Sequence, residues 1–173
     1  MAHPSSCTFG LLALGTRVAP YRGKVQTADL LHSVYEYRKL LSREQLLGGR
    51  MDATERMRLG DLEHQLSTDS PARPDAPRRR YVRSELHLSA MVKAGGRVHT
   101  VEVVNLGGGG LCVAPAPNLR GGERAVVRIV LHESGREYQY PVQAGWVVRG
   151  GPKSAMGLPF VGAPLLLKQP EVQ

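Results

Sequence analysis

Residues 86–104 read LHLSAMVKAGGRVHTVEVV, and this stretch decides the fold. Leu86, Leu88, Ala90 and Val92 alternate with His87, Ser89, Met91 and Lys93, the two-residue period of a strand with one buried face. Gly95-Gly96 supplies the turn, and residues 98–104 return as a second strand. Further toward the C-terminus, residues 111–114, 124–131, 138–148 and 155–161 read as strands separated by Gly, Pro, Asn or Ser clusters. Six short strands with no intervening helical period predict antiparallel pairing. Closure into a six-stranded barrel would protect their edges. Residues 164–168 read as a short helical or extended cover.

Toward the N-terminus the period changes. Leu30, Val34, Tyr37 and Leu41 recur at spacings of four, three and four, which places an apolar stripe on a helix beginning near Thr27. Gly48-Gly49 interrupts it. Asp52 followed by Glu55 has the form of a capping box, and Leu59, Leu62 and Leu66 then mark a second, shorter helix. The two stripes fit either an antiparallel hairpin within one chain or a homodimer formed through these helices. Residues 67–77 carry three prolines among small and polar residues and read as a linker, which ends in Arg78-Arg79-Arg80. The predicted organisation is a disordered tail at 1–26, a helical hairpin at 27–67, an Arg-rich linker at 68–83 and a barrel at 84–168. The fold class is mainly β.

The chain's 173 residues suffice for one globular domain with an appendage. Its formal charge of +8 is unevenly spread: residues 1–70 hold nine Lys/Arg against eight Asp/Glu, and residues 71–173 hold fourteen against seven. The C-terminal part is therefore the anion-attracting one. Cys7 and Cys112 are too few for a disulfide framework or a zinc ribbon, and the six histidines show no ligand spacing, so no metal or cofactor is expected. No run approaches the ~18 apolar residues of a membrane span, and the expected setting is cytoplasmic. Gly107 to Gly110 is not followed by Gly-Lys-Ser/Thr or by a helical period, which excludes a nucleoside-triphosphate loop. No nucleophile elbow or Cys/His pair is present, and no enzymatic activity is expected. Aromatic residues make up only 5% of the chain, too few for the stacking platforms of a single-strand nucleic-acid binder.

Two clusters remain. Arg79 and Arg83 stand four apart, with Arg78 before them, where the linker meets the first strand. Asn105-Leu106-Gly107-Gly108-Gly109-Gly110 lies in the turn expected between the second and third strands. Together they resemble the PilZ domain family, whose Arg-x-x-x-Arg motif precedes the first strand and whose Asp/Asn-x-Ser-x-x-Gly motif follows the second. Ala144-Gly145-Trp146-Val147 and Gly157-Leu158-Pro159-Phe160 resemble two further strands of that family, and the likeness spans about residues 77–163.

The resemblance implies a barrel that binds the bacterial messenger cyclic di-GMP through Arg78, Arg79, Arg83, Asn105, Gly107 and Gly110. It further implies that the Arg-rich linker wraps over the ligand, becomes ordered and re-aims the helical hairpin toward a regulatory protein partner. An arginine fork matches a phosphate or the O6/N7 edge of guanine, Asn105 offers both donors and an acceptor to a guanine, and Gly110 is expected to hold a backbone conformation closed to other residues. Trp146 is expected in the core rather than as a stacking surface for a base, and Tyr81 either against the barrel or beside the ligand. The chain departs from the motif at Gly107, where the family has Ser; losing one hydroxyl hydrogen bond weakens binding by about 0.5–1.5 kcal/mol. Some members of the family bind no nucleotide and act as protein adaptors, which is the alternative reading.

Overall fold

The computed structural model describes residues 26–47, 50–67, 80–150 and 154–168. The expected tail at 1–26, except Gln26, lies outside them, as do Gly48-Gly49 and most of the Arg-rich linker, including Arg78 and Arg79.

Helix α1 (Thr27–Leu47) and helix α2 (Ala53–Leu66) run antiparallel, since Arg43 pairs with Glu55 and Glu36 with Arg58. The α2 start is the expected capping box: Asp52 accepts from the Glu55 N–H at 2.8 Å, and the Asp52 N–H donates to the Glu55 carboxylate at 3.3 Å. Leu59, Leu62 and Leu66 are buried as their spacing predicts. On α1 the stripe is rotated slightly from the expected one. Leu31, Val34, Tyr37 and Leu40 are buried, whereas Leu30 and Leu41 pack at its margin, because α1 fits between α2 and the sheet and needs two contact lines. The apolar stripes are thus consumed within the chain.

Eight strands follow where six are expected: β1 (Ser84–Ala94), β2 (Arg97–Gly107), β3 (Gly110–Ala114), β4 (Arg124–Leu131), β5 (Arg136–Gln143), β6 (Val147–Val148), β7 (Ala155–Pro159) and β8 (Leu165–Lys168). Both extra strands have a physical cause. The expected strand at 138–148 breaks at Ala144-Gly145-Trp146, where the chain leaves β4 and crosses to β7: the Ala144 N–H still donates to Glu123 O, but the Gly145 N–H donates to Gly157 O. The expected cover at 164–168 is extended and pairs with β5 as an edge strand.

All pairings are antiparallel, in the order β6-β7-β3-β2-β1-β4-β5-β8. A bridge between Val142 of β5 and Phe160 just after β7 joins the two sides, so the sheet curls onto itself around Val92, Val103, Leu106, Val113, Val127, Ile129 and Leu158. Helix α1 lies against β5: the Tyr140 hydroxyl donates to Leu31 O at 3.0 Å, and the Tyr35 ring meets Tyr138 edge-on at 5.6 Å. Helices and sheet share one apolar core.

Candidate functional site

The lead-in to β1 is held on two sides. The Val82 N–H donates to Leu66 O at 2.9 Å, and Ser67 bridges Tyr81, so the two ends of segment 68–79 lie side by side. On the other side the lead-in presses on the glycine run. The Tyr81 ring lies over Gly108 and Gly109, where an added Cβ would approach its ring carbons to 2.6 Å and 3.0 Å. The Val82 carbonyl occupies the space beside Gly107, 2.5 Å from where a Cβ would stand.

These contacts correct two expectations. The turn consists of Gly108-Gly109 alone, because β2 extends through Asn105 and Gly107, and Gly107 pairs with Gly110. None of the four glycines has a positive φ. Gly110 is required by close approach instead: a Cβ there would lie 2.7 Å from Leu158 O and 2.8 Å from Pro159 Cα.

Asn105 owes its direction to a bulge. Val103 faces Val113 and Asn105 faces Cys112, which leaves Val104 without an opposite residue. Val101, Val103 and then Leu106 point inward, at 5%, 0% and 0% exposure, so the extra residue turns Asn105 out of the core.

A cleft of about 290 Å³ results, bounded by Arg80, Tyr81 and Arg83 on one side, by Asn105 and the glycine turn on its floor, and by Trp146 with Gly157 to Pro159 opposite. Arg83, Asn105, Gly107 and Gly110 all line this one cleft. Arg80 and Trp146 also line the cleft and were not among the expected site residues, and Tyr81, left open between the barrel and the ligand side, lines it as well. Trp146 is not core: it is 47% exposed, its indole lying over Gly157, where a Cβ would meet Nε1 at 2.3 Å. The signal available in the sequence was a lone tryptophan beside a glycine at a strand break, with a second glycine in the strand opposite.

The electrostatics favour an anion. Among the described residues, no acidic side chain lines the cleft, and Arg83 has no carboxylate partner. Burial pushes the Cys112 thiol up, so it stays neutral, although the nearby Arg83 guanidinium pulls the other way. Tyr81 connects the cleft to α1: its hydroxyl lies 2.8 Å from that of Tyr37, and the rings meet edge-on at 5.8 Å. Burial, and then this hydrogen bond, drive the Tyr37 hydroxyl far above its ordinary range. A second connection runs through Phe160, whose N–H donates to Gly109 O at 3.1 Å and whose carbonyl accepts from Arg38 of α1 at 3.5 Å. Among the described residues no cluster of His, Cys, Asp or Glu could hold a metal ion, and no helix is long and apolar enough to cross a membrane.

A curled antiparallel sheet thus carries, beside a glycine turn, a cleft lined by two arginines and, among the described residues, by no acid. The PilZ domain family model matches residues 77–167, and the chain belongs to the PilZ domain family. Among solved structures, the chain is similar to the Bacillus subtilis inhibitor of motility (MotI/DgrA), with 22% identity over 54% of this chain and 48% of that one, at a TM-score of 0.44. It thus spans about half the length of that protein. It is also similar to the PilZ domain of CeSA from a cellulose-synthesizing bacterium, with 24% identity over 46% of this chain and 81% of that one, at a TM-score of 0.36. No curated protein matches.

Proposed function

We propose that the cleft is a receptor site for cyclic di-GMP and that the protein is a non-enzymatic effector which passes the binding signal through its helices to a partner protein. PilZ domains are generally receptors of this messenger. The observation that carries the reading for this chain is the convergence of Arg83, Asn105 and the glycine turn on one cleft without a competing acid. Arg83 pairs with a phosphate or a guanine O6/N7 edge, joined by the motif's Arg79 and by Arg78 just before it. Asn105 reads a guanine edge, and the exposed Trp146 face offers a stacking surface for a base. The bare backbone at Gly107 and Gly110 lets the ligand approach closely.

Calorimetric titration with cyclic di-GMP tests this. The expected result is a saturable heat that Arg83→Ala weakens by at least about tenfold, the equivalent of losing one charge-assisted contact of about 1.5–3 kcal/mol. Absence of heat with the unmutated protein would overturn the reading and leave the ligand-independent adaptor. That alternative draws support from Val82 O, which fills the place where the family's Ser would stand.

A further inference from the structure

Arg80 faces two ways. The residue lines the cleft and its guanidinium lies 5.3 Å from the centre of the Tyr81 ring, yet that guanidinium is ion-paired with Glu63, one turn from the end of α2. Among the described residues Glu63 is the carboxylate that engages a cleft arginine, and it sits outside the cleft. A dianionic ligand in the cleft would offer Arg80 a second anion on the opposite side. The contacts that pin residues 81 and 82 to Leu66, Ser67 and Tyr37 keep the Arg80 backbone within reach of α2.

We propose that Glu63 is an internal competitor of the ligand phosphate for Arg80, so that filling the cleft releases this contact of α2 and the helical pair in turn sets the affinity of the cleft. This rests on the reading of the cleft as a cyclic di-GMP site. The coupling is reciprocal: whatever the ligand loses by detaching Arg80 from Glu63, it regains when Glu63 is neutralised. The pair is solvent-exposed, with side-chain exposures of 62% and 41%, so the effect is modest.

The test is a titration of cyclic di-GMP followed by the fluorescence of Trp146, the chain's single tryptophan and a wall of the cleft. Glu63→Gln is expected to tighten binding about two- to fivefold, the equivalent of ~0.4–1 kcal/mol and within the range of an exposed pair. The gain is expected to vanish in an Arg80→Ala background. Glu36→Gln, which breaks the Arg58 pair between the helices without touching Arg80, is expected to leave affinity unchanged. Hydrogen exchange supplies a second readout, with ligand expected to raise exchange in the last turn of α2 in the unmutated protein but not in Glu63→Gln. Binding that is unmoved by Glu63→Gln, or a gain that persists without Arg80, would overturn the competition while sparing the receptor reading. No binding by the unmutated protein would overturn both.

Discussion

Asn105 reaches the cleft only because of the extra residue at Val104. Counting in twos from Val101 and Val103 puts Asn105 inside, and no local property of Val-Val-Asn announces that the parity will change. The residue could be picked as a binding candidate from its motif, but its outward direction came from the pairing with β3. Gly107 shows the same limit. Its departure from the motif reads in sequence as a lost hydroxyl, whereas in the structure it is a space already filled by the Val82 carbonyl. Restoring the motif residue should therefore not be free of strain. Gly107→Ser is expected to destabilise the fold by about 1–3 kcal/mol, as overpacking against backbone does, visible as a lower thermal midpoint. An unchanged or raised midpoint would mean that the lead-in to β1 moves aside without penalty.

At the scale of elements, β1 and α2 were legible because their periods are regular: Leu86, Ala90 and Val92, and Leu59, Leu62 and Leu66, are buried as spaced. The break between β5 and β6 was not, since residues 138–148 keep a strand-like composition through the point where the partner strand changes. The helical pair carries a pH signature. Its hydrogen bonds with Arg58 hold the Glu36 carboxyl below its usual range, against the smaller opposing effect of burial. A depressed carboxyl stabilises the folded state above its unfolded pKa and loses that contribution as pH falls through the lowered folded value. Comparing urea unfolding of the unmutated chain with Glu36→Gln should show a difference below about 1 kcal/mol at neutral pH, because the pair is partly exposed, and convergence of the two in acid. A difference that persists in acid would count against the ion pair as its source.

For the molecule as a whole, the decisive feature is that helices and sheet are not separate bodies. Tyr138 and Tyr140 are at 0% and 1% exposure, and α1 is packed against both through Tyr35 and Leu31. Sequence alone left open whether the helical stripes met each other or a second chain and did not foresee that α1 would also cover the sheet, because an apolar stripe does not specify what covers it. The chain should unfold in one cooperative transition. A version beginning at Arg80 should be less stable by about 1.5–3 kcal/mol for each large side chain it uncovers, measured by denaturant titration. Two transitions in the full chain, or undiminished stability in the shortened one, would show that the parts are independent. The bridged ends of segment 68–79 add one consequence. Severing the backbone inside that segment, at an engineered protease site, would yield two polypeptides already gripping each other through Leu66 and Val82, Tyr37 and Tyr81, and Leu31 and Tyr140. The halves should co-elute as one particle, and their elution as two separate species would show that these contacts do not hold the helices to the sheet once the covalent link is cut.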